Sequence, residues 1–176
     1  MKNEGMPFGN RGFSMIEVLI ALLLITIGVL GMVAMQARTI QYTQDSVQRN
    51  TAAMLADDLL ELIRSNPDAE PKYRKVPGSA FPSVSSDDCN ATSLTVDTQL
   101  GCWALQASNR LPGVNAKLLS DEFHICRTQT PGGDCGKGST VEIQLAWHVK
   151  SGECMDENDT DGSSSTVCRY RLRAEI

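Results

Sequence analysis

Aromatic residues make up only 5% of this 176-residue chain, the formal charge is −5, and no basic block occurs anywhere. Few stacking platforms and an acidic balance speak against nucleic acid as a partner. No Cys-x-x-Cys pair is present, and the two histidines, His124 and His148, do not stand at i,i+4 spacing. The common zinc-ligand patterns are therefore missing. Neither histidine has a serine or cysteine nucleophile in recognisable context, so the sequence assigns no catalytic residue, no metal and no cofactor. Cysteine is absent from the whole apolar part of the chain.

What is present is a strong asymmetry. Residues 13–35, FSMIEVLIALLLITIGVLGMVAM, form a 23-residue apolar run with a single charge, Glu17. A helix of about 20 residues crosses a hydrocarbon core of roughly 30 Å. Residues 1–12 are short, polar and carry Lys2 and Arg11. The positive-inside rule keeps those cations in the cytoplasm and sends the rest of the chain across. A secretory signal has a shorter apolar region, about 7–15 residues, ending in a small-residue cleavage site. Here no A-x-A site follows, and the run continues into a helical pattern. A plain signal anchor fits the length but leaves Glu17 unexplained. A carboxylate in an apolar span costs on the order of 2.5–3.5 kcal/mol, and such residues usually have a partner in the assembled state.

The segment Gly12-Phe13-Ser14-Met15-Ile16-Glu17-Val18-Leu19-Ile20-Ala21 closely resembles the class III signal of type IV prepilins and pseudopilins. A short charged leader, a glycine, a phenylalanine, a glutamate four residues later and a long apolar helix are all there. The resemblance implies that a prepilin peptidase cuts between Gly12 and Phe13 and that the new Phe13 amine is N-methylated. It also implies that Glu17 attracts the Phe13 amine of a neighbouring subunit within an apolar filament core. A glycine at the cut presents no side chain to a protease cleft. Cutting on the cytoplasmic side leaves the helix attached, so it can first anchor the subunit in the lipid bilayer and later enter the filament. A buried ion pair need not add net stability; its better-attested use is register, because misplacement strands a charge.

Gly28 and Gly31 interrupt the run. They mark either a place where the helix loosens or one of close helix packing. Beyond Met35 the pattern is amphipathic. Ile40, Val47 and Met54 repeat every seven residues, Leu55, Leu59, Leu62 and Ile63 continue an apolar face, and Gln36, Arg38, Gln41, Gln44, Gln48 and Arg49 supply polar positions. Asp57, Asp58, Glu61 and Arg64 read as a solvated face. Pro67 ends the helix nearby. The expected organisation is a leader over 1–12, a transmembrane or filament-core helix over 13–35, its amphipathic continuation over 36–65, and a head over 66–176.

In the head, residues 66–88 hold Pro67, Pro71, Pro77, Pro82, Gly78 and several serines, which read as an irregular linker. Trp103–Asn109 reads as a short helix before the turn signal Leu111-Pro112-Gly113. Residues 123–128 suggest a strand. Val141, Ile143, Leu145, Trp147 and Val149 alternate with polar residues, as do Cys168, Tyr170, Leu172, Ala174 and Ile176. Period two predicts strands with one buried face. The fold class is therefore α+β, a long N-terminal helix packed on a small antiparallel sheet of three or four strands.

Cys89, Cys102, Cys126, Cys135, Cys154 and Cys168 all lie in the presumed exported part, which points to disulfides. Six cysteines allow 15 pairings. The local set, Cys89–Cys102, Cys126–Cys135 and Cys154–Cys168, closes loops of about 10–15 residues, each contributing roughly 3 kcal/mol in chain-entropy models. Glu157-Asn158-Asp159-Thr160-Asp161-Gly162 resembles half of a calcium loop, but Cys168 occupies the position of the closing glutamate. It reads as a solvated acidic loop. Arg169, Arg171 and Arg173 share a strand face, and a charged, solvent-exposed edge strand guarded against aggregation is the expected reading.

The arrangement of Trp103, Leu111-Pro112-Gly113 and the strand with Ala146-Trp147 is similar to the PilV-type minor pilins. With the leader, this extends the resemblance over most of the chain. It implies a minor pilin that primes type IV pilus assembly and enters the filament, supporting twitching motility and adhesion. The implied partners are the major pilin, other minor pilins, the prepilin peptidase and the inner-membrane assembly machinery. The implied location is the bacterial inner membrane, head in the periplasm, and then the filament. A type II secretion minor pseudopilin and a pilus-tip adhesin are the alternatives; an anchored periplasmic enzyme ranks last.

Overall fold

A computed structural model describes residues 12–151, 153–154 and 166–176. They fall into two compact units that divide between Gln41 and Tyr42. The first unit is helical from Met15 onward, within α1 (Met15–Ser65). Every residue of the apolar run is exposed. Its best 18-residue window has a mean hydropathy of 2.8, long and apolar enough to cross a membrane.

The second unit contains the rest of α1, a 3-10 turn (Pro67–Ala69), α2 (Glu70–Tyr73), a second 3-10 turn (Asp88–Asn90), α3 (Val96–Arg110), α4 (Ala116–Asp121) and three strands. The strands are β1 (His124–Thr128), β2 (Thr140–His148) and β3 (Val167–Ala174), antiparallel in the order β1-β2-β3. The result is the α+β arrangement of one long helix and a small antiparallel sheet.

One core joins these pieces. Leu55, Leu59, Leu60 and Ile63 from α1 meet Ile125 from β1 and Val141, Ile143, Leu145 and Trp147 from β2, all buried. Leu145 faces Tyr170 across the ladder and Ile143 faces Leu172, so one face of each strand serves the core. Leu100, Trp103, Ala104 and Ala107 of α3 close the same cluster. The indole N–H of Trp103 donates to the Leu55 carbonyl at 2.8 Å, which fixes α3 against α1. Phe81, Trp103 and Phe123 pack in tilted and edge-to-face pairs with ring centroids 5.8–6.3 Å apart. At Gly101 a Cβ would stand 2.7 Å from the Pro82 carbonyl oxygen, so glycine lets the 80–84 segment lie on α3.

Several expectations are corrected. Residues 66–88 are not wholly irregular: Pro67 and Pro71 open short helical pieces, at positions where a missing N–H costs nothing. α3 is longer than the Trp103–Asn109 segment. Its start is set by Thr95, whose hydroxyl accepts from the Thr98 amide at 3.2 Å. α4 is capped in the same way by Asn115, which accepts from Leu118 N at 2.9 Å. Ile40, Val47 and Met54 do not extend the core face. All three are exposed, about 60% each, while the buried face of α1 runs through Ala52, Leu55, Ala56, Leu59 and Ile63. β2 is covered on both faces rather than one, because Glu142, Gln144 and Ala146 are buried along with its apolar residues. The sulfurs are joined as Cys89–Cys102, Cys126–Cys135 and Cys154–Cys168.

Replacing Trp103 by Phe keeps most of the buried ring and removes the N–H. It should destabilise the head by about 1–3 kcal/mol, measured as a shift of the chemical-denaturation midpoint. Trp103→Ala should cost more, about 3–5 kcal/mol.

Candidate functional site

Gly12, Phe13 and Ser14 precede α1, and Phe13 is 82% exposed. The Ser14 carbonyl accepts from the amides of Glu17, at 3.0 Å, and Val18, at 3.3 Å, so helical bonding begins here. Glu17 thus lies in the first turn of α1. A carboxylate at that end is favoured by the helix dipole, which places partial positive charge there. Phe13 and Glu17, four residues apart, line one shallow strip of the helix surface with Val18, Ala21, Leu22 and Ile25. Among the described residues Glu17 makes no ion pair and no side-chain hydrogen bond. Lys2 and Arg11 lie outside the described residues.

The chemistry of this end is therefore simple. Gly12 and Phe13 are exposed beside an apolar surface. This end offers a partner one carboxylate in a surface with almost no other polar groups. The hydroxyl of Thr26 is turned inward onto the Leu23 carbonyl at 2.8 Å. Gly28 and Gly31 have open space where a Cβ would stand. They lie within the unbroken α1 helix.

The charged candidates in the head are used internally. The three arginines of β3 do not form a bare solvated face. Arg169 donates twice to the Glu122 carboxylate, at 2.8 and 2.9 Å. Arg171 donates to the Gln144 side-chain oxygen. Arg173 donates to the Thr128 carbonyl at 3.2 Å and lies 3.4 Å from Glu142. The register explains this, since Arg169, Arg171 and Arg173 stand opposite Ala146, Gln144 and Glu142. The arginine row is a lid of stems and guanidinium groups over the second face of β2. The six-residue acidic stretch from Glu157 to Gly162 lies outside the described residues. Asp57 and Asp58 are exposed, and Glu61 pairs with Arg64 at 3.0 Å, as a solvated face should.

Other buried charges carried no signal in the sequence. Asp45 on α1 is buried and accepts from Arg49 at 2.7 Å, while the Arg49 guanidinium lies 5.9 Å from the Trp147 ring centre. Periodicity places both residues on a helix but cannot say that a tryptophan from β2 will cover them. Glu70 accepts two bonds from Arg74, at 3.0 and 2.7 Å, and the hydrogen bond to Arg74 holds its carboxyl below the usual range. Lys75 is buried. Its ammonium donates to the carbonyls of Ser120, at 3.1 Å, and Phe123, at 2.8 Å, and sits 4.7 Å from the Phe81 ring centre. Its backbone pairs with Ile125 in both directions at 2.8 Å, covering the middle of the β1 edge. Burial pulls the Lys75 ammonium down to about 8, with Asp121 opposing.

Residues 8–33 match the family model of the prokaryotic N-terminal methylation motif. Residues 34–108 match the family model described as type IV pilin Tt1218. The two matches abut, so they run together through α1 and α3. No curated protein and no solved structure gives a significant match.

The Lys75 geometry yields a pH prediction. The folded chain releases this proton near pH 8 and an unfolded lysine near 10.5. Between those values the unfolded state binds more protons, so Lys75 makes stability rise with pH. Lys75→Met removes that contribution. The stability of the native protein relative to the Lys75→Met variant should therefore increase from pH 7.5 to pH 10, measured by parallel denaturant titrations. A difference that stays flat or falls over this range would contradict the assignment.

Proposed function

We propose, from the premise that this chain is a type IV pilin with a class III signal, that it is a minor pilin that primes filament assembly. The observation that carries the proposal is one helix serving two roles. Its first part is a wholly exposed apolar surface with a single carboxylate, and its last turns are built into the core of a head held by three disulfides. A soluble enzyme or a free binding module has no use for such a surface; a subunit that is stored in a membrane and then packed against its like does.

The steps follow from the residues. The chain inserts with residues 1–12 in the cytoplasm and residues 66–176, the head, in the periplasm. The prepilin peptidase removes the leader at Gly12, and the freed Phe13 amine is methylated. Methylation leaves the amine charged while trimming its hydration. Glu17 then pairs with the Phe13 amine of a neighbouring subunit, fixing axial register through the cost of leaving either charge alone. The exposed Val47 and Met54, on the side of α1 not used by the head core, supply apolar contact to the next subunits. The helix moves from lipid to protein surroundings without ever exposing its apolar run to water. The major pilin, other minor pilins and the inner-membrane assembly machinery are the partners of these steps. The arrangement of Trp103, Leu111-Pro112-Gly113 and Ala146-Trp147, which resembles PilV-type pilins, supports reading the subunit as one of the priming subunits, with twitching motility and adhesion as downstream effects.

Glu17→Val is the decisive variant. It should insert and be processed normally, because it only removes a charge from the apolar span. Leaving the partner's amine unpaired in an apolar core costs about 3–5 kcal/mol, so incorporation into sheared filaments should fall at least about tenfold. Normal incorporation would end the register role. Deletion of the gene distinguishes the pilus from a secretion pseudopilus: loss of pili with secretion intact supports the proposal, and loss of secretion with pili intact replaces it.

A further inference from the structure

The second face of the sheet contains a buried polar network that neither assembly nor the hydrophobic core requires. Glu142, in the middle strand, is fully buried. Its carboxylate receives the Gly132 amide on both oxygens, at 3.0 Å each, and the Thr128 hydroxyl at 3.3 Å. It also receives His124 Nε2 at 3.1 Å. Because a carboxylate only accepts, His124 carries its proton on Nε2. The other ring nitrogen, Nδ1, is buried and has no hydrogen-bond partner.

Gly132 belongs to the loop between β1 and β2, which the Cys126–Cys135 disulfide also ties to β1. Gly132 has φ +68°, and a Cβ there would meet the Arg171 guanidinium at 3.0 Å. Glycine is thus required for the amide to reach Glu142 beneath Arg171. The Gly132 amide anchors the middle of the loop to Glu142, which His124 helps to orient, while the Gly136 amide holds the far end to the Arg127 carbonyl at 2.9 Å.

We propose that the His124–Glu142 pair is an acid-sensitive latch that holds the β1–β2 loop closed at neutral pH and releases it when His124 becomes doubly protonated. The second proton would enter at Nδ1, where the buried nitrogen has no acceptor. The charged groups facing the ring come from every neighbouring strand and from the segment after α2. Glu142 on β2 favours the imidazolium, whereas Arg171 on β3 and Lys75 after α2 oppose it. Arg173 on β3 already neutralises the far oxygen of Glu142, at 3.4 Å. Burial is the largest influence, and it holds the His124 pKa below the ordinary imidazole value. The sign follows: an opened or unfolded His124 binds its proton at higher pH than the closed one. The closed loop is therefore favoured above the ordinary imidazole pKa and loses stability as pH falls below it.

The test uses the full-length chain in detergent micelles, with glycine amides labelled for NMR. Exchange protection of the Gly132 amide, corrected for intrinsic exchange, should fall by up to about tenfold per pH unit below the ordinary imidazole pKa, the limit for one proton. His124→Gln keeps an N–H donor for Glu142 without titrating there, and should abolish the acid response while retaining protection at pH 7.5. A second readout needs no variant: reduction of Cys126–Cys135 by a water-soluble phosphine should accelerate from pH 7.5 to 5.5 relative to Cys89–Cys102. Unchanged Gly132 protection in the native chain, a full acid response in His124→Gln, or a constant ratio of reduction rates would each overturn the latch.

Discussion

A single helix has to satisfy two solvents with one backbone. Over its apolar run α1 offers side chains that belong in hydrocarbon, and beyond its first turn its peptide groups bond within the helix, which is the condition for a segment to stay in a bilayer. Over its last turns the same helix offers Leu55, Leu59, Leu60 and Ile63 to a protein core. The head is built to receive that second part. Trp103 bonds to a carbonyl of α1, β2 lays its apolar residues against it, and α3 closes the remaining side. Removing the helix from this unit would leave the sheet with one bare face, so the head depends on the element that also anchors the chain.

The second face of the sheet shows how a small domain covers itself without a second helix layer. β2 alternates as a half-buried strand should, but its polar residues end up as deep as its apolar ones. Arginine stems from β3 and the loop carrying Gly132 provide the cover. Such a layer is stable only when its hydrogen bonds are complete, and Glu142 is nearly saturated with donors. Two disulfides tie connecting segments to this arrangement through Cys126 on β1 and Cys168 on β3, both buried.

Much of this was legible in the sequence because the signals were periodic or compositional. The apolar run, the single long helix ended near Pro67 and the strands around Val141–Val149 and Cys168–Ile176 follow from spacing alone. The fate of the seven-residue stripe did not. Ile40, Val47 and Met54 look like core positions by period, yet Leu55 and Leu59, about a quarter-turn away, hold that place, and only tertiary packing distinguishes the two apolar faces. The short helices after Ser65 rest on caps and proline positions rather than on apolar period, so a reading by period passes over them. The burial of Glu142, Asp45 and Lys75 was invisible for a related reason. A charged residue reads as exposed until the structure shows which donors and acceptors from distant segments converge on it.

Two carboxylates make the relation between this fold and its assembly concrete. Glu142 is buried in the sheet and Glu17 stands in an apolar run, and each needs donors to be tolerable away from water. Glu142 finds them within the chain: an amide, a hydroxyl, an imidazole and a nearby guanidinium. Glu17 does not. The sequence around it, from Phe13 to Met35, contains only Ser14 and Thr26 as polar side chains, and Thr26 is committed to its own helix. The shell of Glu17 is open among the described residues, and in the proposed filament the Phe13 amine of a neighbouring subunit would fill it. The carboxylate with a complete shell belongs to folding, and the one whose shell is open among the described residues is the one the proposed assembly would use.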